Sequence, residues 1–519
     1  MQSRSQAGGS HYPGKKPAPQ QTWQNQNYPA QQVSGPNVQA PKVPSPYTSP
    51  ANKVPAWANK TYDQTRDLAR PQSGGQNMGS RQARPQQNLD AYAQGQYNQQ
   101  QQYAQNGAYP QQNSAPALRG AAKPSWLQRL GFGNVKTDIS GHAKVGLAAL
   151  DRSGADADVE SIVDIDVRAE VSAITDGGLE YGAGLRARAQ RDRHRRGFGG
   201  RVGDCPAGVA DCNAITVGGS TRAIKGHTGQ FYTDGRLDRK ETELALEGAY
   251  LFLRSSYGDV VLGRDDGAAY LFSVGAPSLV AVNASNSPVD YTGLDSVKTV
   301  NDASGFSEKI VYTSPRLLGD SIGVGVQFGA SYALNTRACG VDYCVKSNGT
   351  GAQDPFAPQI ENVIELGVAL DRTFNNGFSA ELTGTYARGS EDSGLAAFDS
   401  LSSYGAGLEL KYSDFVFGTS YLKSNNGFAG QGDYTSYDAG LTWKPSNWGF
   451  TASYGHADDD IAKLTSDQGV LAVSYDLGKM RLGTGVQYIS RTVPIISGTG
   501  RDSRKEDAAA LFLEVGIDF

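Results

Sequence analysis

The chain has 519 residues, a net charge of −4, a mean hydropathy of −0.46 and 64 glycines. It has no unbroken apolar stretch of the roughly 18 residues that a membrane-spanning helix needs, which excludes a bundle of transmembrane helices. Residues 1–124 carry 12 basic and 3 acidic side chains, so the rest of the chain carries −13, which argues against a folded domain that binds nucleic acid.

The composition of residues 1–124 predicts a disordered, basic extension. These residues hold 24 Gln and 15 of the 23 Pro but no Ile or Phe, so they cannot bury enough apolar surface to offset the entropy cost of folding. One interpretation is a solvated tail. The other is a tether, in which the scattered tyrosines and basic residues contact the cell wall or another layer. Residues 125–134, which include SWLQRLGF, predict a short amphipathic connector.

From Val135 to the end, apolar and polar residues alternate with the period of two that is typical of β-strands. In VDIDVRAEVSA (163–173), Ile165 and Val167 share one face, and Asp166 and Arg168 share the other. We count sixteen such segments, near 135–148, 160–174, 179–191, 240–254, 259–264, 306–314, 320–334, 360–372, 378–390, 402–413, 415–424, 434–444, 448–457, 468–477, 480–492 and 506–519.

The connections between these segments alternate between short turns and longer polar loops, an asymmetry typical of outer-membrane barrels. The sequence therefore predicts an all-β fold over 135–519, a 16-stranded antiparallel transmembrane β-barrel with both termini on the periplasmic side. A soluble β-sandwich would alternate too, but the number and length of the segments suit tilted membrane crossings better. Aromatic residues also cluster beside the short turns, as Trp443, Trp448 and Phe450 do, which indicates an interfacial girdle.

The four cysteines form two local pairs, Cys205 with Cys212 and Cys339 with Cys344, in polar sequence. Their spacings do not match a zinc site. They predict two disulfides in loops exposed to an oxidising compartment, and four unrelated free thiols are the alternative. No apolar signal-peptide core precedes Val135, so the sequence does not indicate where the export signal lies.

Three stretches, GDVVLGRDDGAA (258–269), EKIVYTSPRLLGDSIGVGVQF (308–328) and ALFLEVGIDF (510–519), resemble the Gram-negative trimeric general porins, especially their alphaproteobacterial branch. The resemblance implies a homotrimeric outer-membrane channel, surrounded by lipid and lipopolysaccharide, with a third loop folded into the barrel. It also implies that the strand ending at Phe519 is the signal read by the barrel assembly machinery. Residues 1–124 have no counterpart in the family pattern, and the length of loop 2 (192–238) puts its usual role of latching a neighbouring subunit in question.

The stretch 265–305 is the candidate third loop. Its acids are Asp265, Asp266, Asp290, Asp295 and Asp302, and its segment 268–289 carries no charge. The resemblance implies that such acids face basic residues across the pore. The candidates on the polar face of the early strands are Lys144, Arg168, Arg186 and Arg188, with Lys136 as a further one. Local pairing of these bases with Asp166, Glu170 and Glu180 is the alternative.

No catalytic constellation is present in the sequence. His142 lies on the polar face of a strand without a Ser and carboxylate that could complete a triad, and we expect the other histidines, His11, His194, His227 and His456, to be solvated. No pattern predicts a cofactor. The acid-rich loop HADDDIAK (456–463) offers carboxylates of the kind that bind Ca²⁺, and a solvated run of charges is the alternative.

The sequence therefore predicts a non-enzymatic porin, a water-filled channel for passive diffusion of small hydrophilic solutes and ions. The alternative is a structural protein of the outer membrane that is tethered to the cell wall or another layer through residues 1–124.

Overall fold

The computed structural model describes residues 135–154, 156–175, 177–192, 214–231, 241–318, 323–338, 340–341, 355–497 and 500–519. The predicted extension (1–124), the predicted connector (125–134) and the two predicted cysteine pairs lie outside the described residues. No helix in the described part of the chain is long and apolar enough to cross a membrane.

The described chain is almost entirely β-strand. The strands are β1 (Val135–Arg152), β2 (Asp158–Ile174), β3 (Glu180–Asp192), β4 (Ala214–Val217), β5 (Ser220–Ala223), β6 (Glu241–Ser255), β7 (Gly258–Arg264), β8 (Glu308–Thr313), β9 (Gly325–Asn335), β10 (Ile360–Thr373), β11 (Ser379–Glu391), β12 (Leu401–Tyr412), β13 (Phe415–Ser424), β14 (Tyr434–Trp443), β15 (Trp448–Asp459), β16 (Leu464–Leu477), β17 (Met480–Ser497) and β18 (Gly500–Asp518). One short helix, α1 (Ala268–Leu271), follows β7.

Sixteen of these strands close into an antiparallel barrel. Every neighbour in the ring is the next barrel strand along the chain, and β1 closes the ring by pairing with β18. The predicted 16-stranded barrel is confirmed. The remaining strands, β4 and β5, form a separate two-stranded sheet within the connection between β3 and β6, which the alternation pattern did not predict.

The two ends of the barrel differ. At one end, here called the short-turn end, connections such as 256–257, 413–414 and 478–479 are only two residues long. The other end, the long-loop end, carries the connection 193–240 between β3 and β6, here called L2, and the connection 265–307 between β7 and β8, here called L3.

The outer surface of the barrel is apolar. On β18, Leu511 and Leu513 are 61% and 56% exposed, whereas Phe512 between them is buried inside the barrel. At the short-turn end, the ring of Trp443 stacks between those of Phe415 and Phe450, with centroids 5.6 and 5.1 Å apart. This arrangement matches the aromatic belt of a protein that sits in a membrane.

The interior of the barrel is less open than the polar face of the strands suggested. L3 lies inside it, and an apolar cluster joins L3 to β1, β2, β16 and β18: Ala148, Leu150, Ile162, Val280, Ala281, Val282, Ala284, Val289, Tyr291, Val470, Ala472, Ala510 and Phe512. The uncharged segment of L3 brings its own apolar side chains, and small or apolar residues on the inward face of these strands accommodate them. Part of the lumen is therefore a packed core instead of a water-filled channel.

Candidate pore constriction

L3 contacts the barrel wall on all sides. After β7 it passes β9 and β10, then β14 and β15, reaches β18 and β1, and returns past β3 and β17 to β8. None of its residues is fully exposed to solvent. The loop predicted to fold inward therefore lies inside the barrel and governs how much of the lumen stays open.

The first turn of L3 packs against two glycines of the barrel wall. The ring of Phe272 lies over Gly329 of β9 and Gly367 of β10, which pair with each other in the sheet. A Cβ atom at either glycine would come within 2.5 Å of the ring. Because real Cβ contacts are longer than this, only glycine at both positions allows Phe272 to lie flat against the wall.

Acidic side chains of the wall accept backbone N–H groups of L3. The four pairs are Asp438 with Ala276 (3.1 Å), Glu514 with Ala281 (2.8 Å), Asp192 with Asp290 (3.0 Å) and Glu365 with Ser304 (2.8 Å). An irregular loop inside a barrel has no strand partner, so its buried N–H groups need side-chain acceptors. These carboxylates hold the loop, and the alternation pattern did not predict this role.

Arg186 is the centre of the largest charge cluster between L3 and the wall. Its guanidinium lies 3.0 Å from Asp166, 3.4 Å from Asp266 of L3 and 3.4 Å from Glu247 of β6. Burial raises the pKa of Asp266 to about 6, although Arg186 opposes the shift. Three carboxylates surround one guanidinium that is only 5% exposed, so the positive charge of Arg186 is more than compensated, and these contacts fasten the start of L3 to the wall.

Arg188 meets L3 through the backbone of Pro288. Its Nε donates to Asp164 at 2.8 Å, and its Nη2 donates to the carbonyl of Pro288 at 2.8 Å. His142 lies on the other side of Asp164, at 3.0 Å. Local pairing with an acid of the wall is thus present at both arginines. Arg186 pairs with Asp166, as the alternative proposed, and Arg188 pairs with Asp164, which was not among the acids named for it.

Arg168 is the arginine of this group that keeps contact with water, since Arg186 and Arg188 are both buried. Its Nη2 lies 4.0 Å from Oδ1 of Asp265, and the two side chains are 18% and 15% exposed. Lys144 is half-buried on β1. Asp265 and Asp266 thus face basic residues of the wall.

Asp290 and Asp295, two further acids of L3, have a different environment from Asp265 and Asp266. The side chain of Asp290 accepts the N–H groups of Thr292, Gly293 and Asp295 and so shapes a turn within L3. Asp295 is half-buried.

The missed residues share one sequence signal. Glu247, Lys309, Glu365, Asp438 and Glu514 are charged residues on the inward face of β6, β8, β10, β14 and β18, which follow the early strands that hold the predicted basic residues. Lys309 donates to the backbone carbonyls of Asp265 and Gly305, so it binds both ends of L3.

The expectation of solvated histidines is wrong at His227, whereas His456 is half-buried. His227 is 1% exposed, and its Nε2 donates to the carbonyl of Ala303 in L3 at 2.8 Å. His456 stacks on Tyr437 and lies 3.0 and 2.9 Å from two acids, Asp458 and Asp467. Packing against loops and neighbouring strands, which periodicity does not reveal, accounts for both. His11 and His194 lie outside the described residues.

In the acid-rich loop after β15, a carboxylate already accepts hydrogen bonds from the backbone of the loop itself. Asp459 accepts the N–H groups of Ile461 and Ala462, both at 2.9 Å. Within the described ranges, no three His, Cys, Asp or Glu side chains are grouped so that they could hold a metal ion.

The family comparison decides the identity of this barrel. A model of the Gram-negative porin family matches residues 90–492. The chain belongs to the Gram-negative porin family. It is an outer-membrane channel for passive diffusion, and family and fold indicate a channel rather than an enzyme.

Three solved structures illustrate the similarity of the fold. The anion-selective porin from Comamonas acidovorans is 13% identical, with 74% of this chain and 100% of that chain covered and a TM-score of 0.41. The channel DcaP of Acinetobacter baumannii is 12% identical, with 74% and 98% covered and a TM-score of 0.44. OprB of Pseudomonas putida is 11% identical, with 76% and 96% covered and a TM-score of 0.45. Comparison with curated proteins gave no match.

Proposed function

We propose that this porin conducts small hydrophilic solutes and ions with a mild preference for cations, and that Arg168 and Asp265 carry the facing charges of its constriction. The observation that carries the proposal is their 4.0 Å separation, with both side chains still partly in contact with water. A charge selects ions by sign only where the permeating ion approaches it. The −13 balance of residues 125–519 supports the preference for cations.

Arg186 and Arg188 have a different role in this proposal. Their side chains are 5% and 3% exposed and are paired with buried carboxylates. A neutralised, buried guanidinium contributes little to the field in the water-filled path. These two residues position L3, and Arg168 sets the field.

The test is the reversal potential of single channels under a salt gradient. Arg168→Ala should shift the selectivity toward cations, because it leaves Asp265 unopposed across the water-filled path. Arg316→Ala is the matched control, since it also removes one guanidinium that is paired with an acid, Asp371 at 2.7 Å, but near the short-turn end. Equal shifts in the two variants would mean that the filter does not lie at Arg168.

We further propose that the porin is a homotrimer whose subunits meet along β18, β1, β2, β3, β6 and β7. The support is the distribution of outward tyrosines near the long-loop end: Tyr332, Tyr386, Tyr404, Tyr421, Tyr437, Tyr454 and Tyr488, on β9, β11 to β15 and β17. Tyrosine is favoured where a barrel surface meets the headgroups of lipids. Among the described residues, the exposed large apolar side chains of the other strands at that level are aliphatic, as on a surface covered by protein.

A photo-reactive amino acid in place of Leu185 or Leu471 tests this arrangement. Both leucines face outward, at 57% and 66% exposure, and both lie about midway along their strands, β3 and β16. Irradiation in native membranes should link subunits from position 185 and not from position 471. Links from both positions, or from position 471 alone, would place the subunit contact elsewhere.

A further inference from the structure

A segment of L2, residues 224–231, reaches the far side of the barrel mouth. L2 connects the third and fourth strands of the ring, β3 and β6. The segment, here called the mouth segment, contacts β13, β14 and the connection between them, and these are the eleventh and twelfth strands of the ring. Half the ring separates the two places. The mouth segment therefore lies on the side of the barrel mouth opposite the two strands that L2 connects.

Asn426, in the connection between β13 and β14, holds the mouth segment on the far side. Its Oδ1 accepts the N–H groups of Thr228 at 3.0 Å and Gly229 at 2.9 Å, and its carbonyl accepts the N–H of His227 at 2.9 Å. The hydroxyls of Thr228 and Ser424 lie 2.7 Å apart. Asn426 itself has no solvent-exposed surface. Such a set of buried, satisfied hydrogen bonds indicates one specific docked position.

Apolar contacts fix both ends of the mouth segment. Ile224 packs against Phe398 and Ile461, which belong to two different connections at the long-loop end. Phe231 lies in a buried cluster with Leu422, Tyr434 and Val297 of L3. All eight residues of the segment are buried. The segment is thus part of a packed layer that lies directly on L3, to which His227 is also hydrogen-bonded.

We propose that the mouth segment is an outer size filter of the channel, placed in series with L3, and that it limits the largest solute that can enter. The segment occupies space in the mouth that the barrel wall alone would leave open. A solute must pass the mouth layer before it reaches L3, so removing the layer widens the entrance without altering the charges beside L3. This inference rests on the porin function of the chain and is independent of the role proposed for Arg168.

Undocking the segment tests the proposal. Asn426→Ala removes the side-chain acceptor shared by Thr228 and Gly229, while Asn425→Ala is the matched control, because the side chain of Asn425 bonds Ser400 and Ser402 and has no hydrogen bond to L2 among the described contacts. Single-channel conductance and the swelling rate of liposomes in sugars of increasing size are the readouts. Asn426→Ala should raise the conductance and admit larger sugars, with selectivity between ions unchanged.

A disulfide restores the docked position in the same background. Because the hydroxyl oxygens of Thr228 and Ser424 are 2.7 Å apart, cysteines at both positions are placed for a bond between sulfurs that lie about 2.0 Å apart. In the triple variant Asn426→Ala, Thr228→Cys, Ser424→Cys, the oxidised channel should recover the conductance and size limit of the wild type. Each single cysteine in the Asn426→Ala background controls for the substitutions themselves.

Failure of the proposed outer filter and failure of the porin function would give different results in these experiments. Conductance and size limit that are unchanged in Asn426→Ala, or that the disulfide does not restore, would overturn the outer filter. A complete lack of conductance in the wild type would instead contradict the porin function, so the two failures can be told apart.

Discussion

Both carboxylate oxygens of Glu514 accept the backbone N–H of Ala281, at 2.8 and 3.0 Å. Glu514 lies on β18, the strand that closes the barrel against β1, and Ala281 lies in the uncharged part of L3. The last strand of the chain therefore does two things at once: it completes the ring and it holds the constriction loop in place.

Replacing Glu514 by Ala should loosen L3. The N–H of Ala281 would lose its acceptor in a buried site, which costs about 1–3 kcal/mol of docking free energy. We expect a higher and noisier single-channel conductance. Glu514→Gln is the control, because its amide oxygen can still accept the bond. If Glu514→Ala conducts like Glu514→Gln, the carboxylate does not hold the loop.

Replacing Gly367 by Ala should lift Phe272 off the wall. The added Cβ would come within 2.5 Å of the ring, whereas a Cβ at Gly384 on the neighbouring β11 meets its nearest atom, Cγ1 of Val368, at 3.5 Å. Overpacking of this kind costs about 1–3 kcal/mol. Gly367→Ala should lower the thermal unfolding temperature and change the conductance, and Gly384→Ala should do neither. Similar behaviour of the two variants would contradict the conclusion that Phe272 needs a glycine at position 367 to pack against the wall.

Acid should release the mouth segment through His227. Burial, together with Lys298 and Lys225, lowers the pKa of His227 to about 4, although its bond to the carbonyl of Ala303 opposes the shift. Because the pKa is depressed on folding, the stabilisation of the docked segment is complete above pH 6.5, the ordinary value, and is lost as the pH falls through about 4.

The measurement is conductance between pH 7 and pH 4 in the wild type and in His227→Gln. The wild type should show a rise in conductance on acidification that the variant lacks, because glutamine can donate to Ala303 but does not gain a charge. Asp266, whose pKa is also shifted, is present in both channels, so the difference between them isolates His227. Parallel pH profiles would exclude His227 as the titrating group.

The sequence predicted the wall of this barrel far better than its interior. A period of two assigns each strand residue to a face, so the sixteen strands and the outward-facing leucines of β18 follow from local patterns. The partner of an inward side chain does not. Glu514 and Ala281 are 233 positions apart in the chain, and nothing in the alternation pairs a wall carboxylate with a particular N–H of L3.

Because alternation does not reveal the partner of an inward side chain, it also could not distinguish the three basic residues from one another. The pattern placed Arg168, Arg186 and Arg188 on one face, but it could not tell which of them L3 would cover. Asp266 and Pro288 cover Arg186 and Arg188, and Arg168 stays in contact with water. His227 is a stronger example, because it is buried against L3 and Asn426, on the side of the ring opposite the strands that L2 connects.

Deleting Phe519 should impair assembly of the porin, through its role in closing the ring as well as through any signal that the terminal strand carries. Phe519 and Gly141 of β1 exchange two backbone hydrogen bonds, both 3.0 Å long, which are the last bonds of the β1–β18 seam at the short-turn end. The side chain of Phe519 remains 45% exposed on the barrel, so it is accessible to another protein. Deletion should reduce the yield of heat-resistant oligomer in outer membranes.

The substitution Phe519→Ala separates the contribution of the seam from that of the aromatic ring, since it keeps the backbone bonds and removes only the ring. If the yield falls with Phe519→Ala as much as with the deletion, the aromatic ring is what the assembly machinery reads. If only the deletion lowers it, the seam is what matters, and an unchanged yield in both variants would contradict the assembly role altogether.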